Sequence, residues 1–247
     1  MPLREEFERH GNWLFRRRSF LPLFVLPLAA VALAQFPYPG GRHWEDLAWE
    51  AACLLVSLCG LAVRVGTTGC APSRTSGRNT KKGQVADTLT TAGMYSIVRH
   101  PLYLGNFLIA AGPVLFFRLW WPALIYILFF WLYYERIMFA EEEFLREKFG
   151  AAYLEWASRT PAFLPRLRNW RKPEFPFSVR KALKREYQTV FVLICSFTTL
   201  EVVGDVRQQR RFVVDPVWAV VFGAGLVFFI VVRYLRKKTD VLDVPVR

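Results

Sequence analysis

Apolar residues are not spread along this chain but gathered into long runs, at roughly 19–35, 47–64, 101–118, 120–138, 189–205 and 213–233. A helix rising 1.5 Å per residue needs about 20 such residues to cross a hydrocarbon layer about 30 Å thick. The pattern therefore predicts about six membrane-spanning helices and an all-α, polytopic transmembrane bundle. The fifth run is the weakest. Thr198, Thr199 and Glu201 interrupt it, which predicts a short span or a re-entrant segment. Only a few residues, around "FRLWWP", separate the third and fourth runs, so these should form a tight helical hairpin. The fourth helix should continue past the membrane surface through "YYERIMFAEEEFLREKFG" and stop at Gly150, a residue suited to a helix C-terminus.

The polar intervals carry the charge. Of 33 Lys and Arg residues, five precede residue 19, six lie in 64–100, twelve in 136–185 and five from 233 onward. In a six-span topology these 28 fall on one side, which the positive-inside rule makes cytoplasmic. Arg42, Arg118, Arg207, Arg210 and Arg211 are left for the other side. The last three crowd one external loop, against the pattern of the rest. A net charge of +13 placed this way fits anionic headgroups; because the cations flank membrane runs, nucleic acid is not the expected partner. The segment "RRSFLPLFVLPLAAVALAQ" has the look of an export signal ending in A-x-A, but in a polytopic chain it is expected to be the first span.

Other compositional signals are weaker. Cys53, Cys59, Cys70 and Cys195 form no C-x-x-C pair and read as small buried side chains, and three scattered histidines offer no metal site. Gly223 and Gly225 sit inside an apolar run, where a helix-packing role is expected. No internal repeat is present, and no pattern speaks to oligomeric state. Three regions follow: an N-terminal membrane hairpin with the start of a polar loop (1–74), a central region (75–165), and a basic linker with a C-terminal membrane pair (166–247). Pro161, Pro165, Pro173 and Pro176 break any long helix across the linker.

Chemistry concentrates in "GMYSIVRHPLYLGNF", residues 93–107. Pro101 suits the first residue of the third helix, where the missing N–H costs nothing. Arg99 and His100 then lie at the membrane surface beside the positive end of the helix dipole, a seat for a carboxylate or phosphate. Tyr103 follows one turn on, and Gly105 leaves a gap that a flat ring could approach. The hairpin brings Glu141 and Glu142, at the inner end of the fourth helix, next to this turn. There they can face Arg99 and His100 or bind a cationic, hydroxylated ligand. Glu143, Arg146 and Glu147 read as ordinary surface charge.

These residues resemble the membrane methyltransferases related to isoprenylcysteine carboxyl methyltransferase and the phospholipid methyltransferases. The resemblance rests on G-x-Y-S-x-x-R-H-P-x-Y-x-G at Gly93, Tyr95, Ser96, Arg99, His100, Pro101, Tyr103 and Gly105. It continues in E-E-x-x-L-x-x-x-F-G-x-x-Y-x-x-W-x-x-R-x-P at Glu141, Glu142, Leu145, Phe149, Gly150, Tyr153, Trp156, Arg159 and Pro161. It covers about 75–165. It implies an S-adenosylmethionine site contacted by Tyr95, His100, Tyr103, Leu104, Gly105, Glu141 and Glu142, with a lipid or lipidated substrate entering from the bilayer. After Pro165 the chain departs from the prenyl-cysteine enzymes by about eighty residues, which leaves the acceptor open.

Methyl transfer is an in-line displacement from a good leaving group, so alignment and water exclusion are the main tasks. A carboxylate or phosphate acceptor needs cations to hold it, and Arg99 and Arg159 are the candidates. An amine acceptor would need a general base. The abundance of cytoplasmic arginine favours O-methylation. Two other readings compete. A membrane sterol or enone reductase using NADPH would share R-H-P-x-Y-x-G but lack the E-E segment. A transporter or scaffold would show mid-membrane charges or an inverted repeat.

Overall fold

A computed structural model describes residues 2–17, 26–35, 43–72, 84, 86–209 and 215–243. Its helices are α1 (Leu3–Arg17), α2 (Leu26–Gln35), α3 (His43–Cys70), α4 (Met94–Ile97), α5 (Pro101–Phe116), α6 (Trp120–Phe149), α7 (Ala151–Arg159), α8 (Val179–Gln209) and α9 (Pro216–Lys238). A 3₁₀ turn at Leu167–Asn169 interrupts the linker. The protein is an all-α membrane bundle. Four helices among the described residues are long and apolar enough to cross a bilayer: Ala48–Cys70 within α3, α6, Val179–Val206 within α8, and α9. This corrects the expectation of about six. At 16 residues α5 is apolar but reaches only about 24 Å, and much of the 19–35 run lies outside the described residues.

The boundaries follow from local chemistry. Helix α3 runs past residue 64, where a polar loop was expected; within it Thr67 and Thr68 satisfy their hydroxyls by donating to the carbonyls of Val63 (2.6 Å) and Arg64 (2.9 Å) one turn back. A tight turn with Arg118 at φ 53° joins α5 to α6, giving the expected hairpin. Helix α6 ends at Gly150, whose φ of 52° lies in the left-handed region that favours glycine. Helix α8 is one continuous helix of 31 residues rather than a re-entrant piece. Its Leu193, Phe197 and Leu200 share one face and pack with Cys53, Phe116 and Phe117, so tertiary packing outweighs the polar interruption. Helix α9 starts with Asp215 accepting the Val217 N–H (2.7 Å) and with Pro216 at its first position.

Packing then places the site. Helices α3 and α5 lie against each other where Gly60 meets Gly105, so closely that a Cβ on Gly105 would stand 2.9 Å from the Gly60 carbonyl oxygen. Helix α8 closes onto this pair. Helix α9 packs on α8, with Gly225 against Ile194, the packing role expected of it; around Gly223 the space is open. Val220, Val227 and Ile230 of α9 are exposed, apolar surface of the extent that lipid covers. Near the C-terminal end of α6, Glu143 is buried and pairs with Arg4 of α1 and Arg146. It is therefore not the surface charge expected.

Candidate active site

The R-H-P turn is held by backbone bonds from the segment that follows α7. Arg99 N–H donates to the Pro161 carbonyl (2.9 Å), His100 N–H to Ala162 (3.2 Å), and Arg166 N–H to Ile97 (2.9 Å). Ser96 closes the other side: its Oγ donates to the Gly93 carbonyl (2.7 Å) and accepts from Arg171 N–H (2.9 Å). Trp156 Nε1 donates to the Tyr95 carbonyl (3.1 Å). Two second-motif residues, Trp156 and Pro161, thus support the first motif.

With the turn fixed, His100 points at α6. Its side chain is 4% exposed, with Nε2 2.9 Å from Glu142 Oε1 and Nδ1 3.7 Å from Glu141 Oε2. Arg99 Nε stands 3.1 Å from the same Glu142 oxygen. Tyr103 stacks on the imidazole at 5.5 Å and donates its hydroxyl to Glu141 Oε2 (2.9 Å). Burial opposes a charged imidazole here, but hydrogen bonds and charge from Glu141 and Glu142 outweigh it and hold the His100 pKa above its ordinary value. Burial, and then the Glu142 carboxylate, pushes the Tyr153 phenol far up, so it remains a neutral donor. The protein's own glutamates occupy the anion seat expected beside Arg99 and His100.

This cluster opens onto a cavity of about 640 Å³, within the range of small-molecule sites. One wall carries Arg99, His100, Glu141 and Glu142; the other comes from α3, α8 and α9. There Arg64 donates from Nε to Glu186 Oε2 (2.8 Å), from Nη2 to Glu186 Oε1 (3.1 Å) and from Nη1 to Asn106 Oδ1 (2.5 Å). Glu186 is only 2% exposed, so this bidentate pair fixes α8 to α3 and α5. Lys181, Lys184, Arg185 and Arg236 extend the same wall.

Of the residues singled out in the sequence, Tyr95, Arg99, His100, Tyr103, Glu141 and Glu142 line the cavity together. Leu104 packs with Ile97 and Val98. The gap at Gly105 is filled by Arg64, whose Cγ would lie 2.5 Å from an added Cβ. Arg159 does not reach the cavity: 63% exposed, it pairs with Glu155 one turn back (2.8 Å). The sequence reading missed Arg64, Asn106, Glu186 and the α8–α9 cations. Their one signal was charge beside the ends of apolar runs, which many residues here share.

A helical membrane bundle with a polar cavity at the junction of an R-H-P turn and an E-E helix end defines an integral membrane protein with a small-molecule cavity between its helix ends. A profile of the phospholipid methyltransferase family matches residues 74–152. The chain is 33% identical over 157 residues to the nickel-cobalt-cadmium resistance protein NccN of Alcaligenes xylosoxydans xylosoxydans, covering 63% of this chain and 68% of that protein. To the cobalt-zinc-cadmium resistance protein CzcN of Cupriavidus metallidurans it is 36% identical over 135 residues, covering 53% and 58%. To the protein-S-isoprenylcysteine O-methyltransferase of Schizosaccharomyces pombe it is 31% identical over 77 residues, covering 31% and 33%. No solved structure matches. The chain belongs to the isoprenylcysteine carboxyl methyltransferase and phospholipid methyltransferase family of integral membrane methyltransferases.

Proposed function

We propose that the protein transfers a methyl group from S-adenosylmethionine to a lipid or lipidated acceptor at the cytoplasmic membrane face. In this reading 75–165 is the methyltransferase core, 1–74 the N-terminal membrane hairpin and 166–247 the basic linker with its membrane pair. The observation that carries it is the meeting of the two motifs at His100, between Glu141 and Glu142 on the cavity wall. The residues suit the cofactor. A carboxylate has about four acceptor positions, so both glutamates keep capacity for an ammonium group or ribose hydroxyls after bonding His100 and Tyr103. Thr90 Oγ1, buried at the same cavity, has no hydrogen-bond partner among the described residues and can serve a hydroxyl.

Bound S-adenosylmethionine would supply an electrophilic methyl group. The protein's own contribution is positional: His100 and Arg99 fix the carboxylates, Tyr103 orients Glu141, and the buried turn excludes water. O-methylation of a carboxylate or phosphate is the favoured chemistry, since an anionic nucleophile needs no base, whereas an amine would need one. Of the two arginines expected to hold such an acceptor, Arg99 lines the cavity, where it also pairs with Glu142. The test is calorimetric titration of the purified protein with S-adenosylmethionine. Glu142→Ala and His100→Ala should each weaken binding by about 10- to 150-fold, the loss of a charge-assisted contact of about 1.5–3 kcal/mol. Unchanged affinity in both folded variants would remove the cofactor from this wall.

A further inference from the structure

We propose that residues 163–171, a strap between α7 and α8, form an interfacial anchor that docks on anionic lipid headgroups of the surrounding bilayer. The strap interleaves two kinds of exposed side chain. Leu164, Leu167 and Trp170 are each more than half exposed, and Arg166, Arg168 and Arg171 are exposed between and beside them. Among the described residues none of these three guanidiniums makes an ion pair or a hydrogen bond. No carboxylate falls within the stretch; the nearest on either side are Glu155, already paired with Arg159, and Glu174, which follows Lys172. The strap is also fixed in place. Arg166 N–H donates to the Ile97 carbonyl (2.9 Å), the Arg171 carbonyl accepts from Gly93 N–H (3.0 Å), and Arg171 N–H donates to Ser96 Oγ (2.9 Å). Trp170 N–H donates to the Leu167 carbonyl (3.1 Å), closing a 3₁₀ turn that sets the two side chains on one side.

Phe163 sets the depth of the strap. Its ring meets Phe107 of α5 at 5.8 Å, and Phe130 and Trp131 of α6 at 5.8 and 6.0 Å. Phe107 lies about 9 Å along α5 from Pro101, and Trp131 is itself half-exposed on a helix able to cross the bilayer. The strap therefore starts against the apolar flank of two membrane helices, and the chain soon enters the apolar run of α8 at Val179. Leu164, Leu167 and Trp170 then stand at the boundary of headgroups and acyl chains, a level that tryptophan favours. Arginine stems can lie along apolar surface there while the guanidiniums reach phosphate. Water would leave the three large apolar side chains uncovered, and a soluble acidic partner would have to cover them where the bilayer already stands. Each arginine near an anionic surface favours it by about fivefold. The strap arginines do not line the cavity, so the proposal stands apart from the methyltransferase reading.

The test uses the full chain with its four native cysteines replaced and a single bimane-labelled cysteine, reconstituted into vesicles of phosphatidylcholine and phosphatidylglycerol. One lipid at a time carries bromine on its acyl chains, so quenching reports which lipid touches the label. At Leu167→Cys, phosphatidylglycerol should be preferred over phosphatidylcholine by at least about fivefold. Arg166→Gln, Arg168→Gln and Arg171→Gln combined should bring that preference to within about twofold of parity. At Val227→Cys, on the exposed apolar surface of α9, both lipids should quench alike, with or without the three substitutions. Leu164→Cys supplies the same reading should Leu167→Cys fail to fold. A strap label that neither lipid quenches, beside a quenched label at Val227→Cys, would place the strap in water and overturn the proposal in favour of a soluble acidic partner. Equal quenching by both lipids at the strap, or a preference that survives the three substitutions, would overturn the anionic docking.

Discussion

His100 carries the most informative electrostatics in the protein, because both ring nitrogens face carboxylates and only the imidazolium can donate from both. Its folded-state pKa is raised above the ordinary value of 6.5, while in the unfolded chain it titrates near that value. The proton is therefore bound more tightly in the folded state. The stabilisation is fully present below pH 6.5 and is lost as pH rises through the raised folded value. Melting temperatures in detergent from pH 6 upward should fall more steeply for the wild type than for His100→Gln, which cannot titrate. Parallel profiles would show that His100 is not held charged by Glu141 and Glu142.

Helix α5 works as a buried spacer, and its contact with α3 explains how a helix of 16 residues can serve inside a membrane bundle. Gly105 stands on the Gly60 carbonyl and the Arg64 side chain, Gly112 stands on Ser57, and Ser57 Oγ donates to the Ile109 carbonyl (2.8 Å). Because the Gly60 oxygen belongs to backbone, it cannot rotate away from a new side chain. Gly105→Val should destabilise the fold by about 1–3 kcal/mol, the usual cost of overpacking, and lower the melting temperature in detergent. Gly223→Ala, with nothing within 4 Å of the added carbon, should leave it unchanged or slightly raised. Equal melting temperatures for the two variants would contradict the close α3–α5 approach. Gly105 was conspicuous in the sequence as an opening for a ligand, yet the partner that fills it, Arg64, lies forty-one positions earlier, beyond what local spacing can show.

Across the bundle, the proposed cytoplasmic orientation rests on the distribution of Lys and Arg, with the 136–185 segment the most heavily charged. Lys172 is exposed within that segment. With the four native cysteines replaced, Lys172→Cys should react with a membrane-impermeant maleimide only when the cytoplasmic face of sealed vesicles is accessible. Reaction from the opposite face would invert the topology and move the cavity's polar mouth away from the cytoplasm.

Chain-local physics made much of this protein legible in one dimension: the apolar runs of α3, α6, α8 and α9, the hairpin between α5 and α6, the stop at Gly150, and the clustering of His100, Tyr103, Glu141 and Glu142. Each depends on neighbours in sequence or on one short connection, and hydrophobic length and turn chemistry act at that range. Helix α8 departed from its pattern because Leu193, Phe197 and Leu200 find partners on α3 and α5, which no run of residues reveals. The assignment of charges was likewise tertiary. Arg159, inside the second motif, turned outward to Glu155, while Arg64 and Arg236, inconspicuous in sequence, line the cavity. Helix packing sets which of 33 similar cations meets which carboxylate, and an ion pair such as Arg64–Glu186, 122 positions apart, forms only when three helices have met.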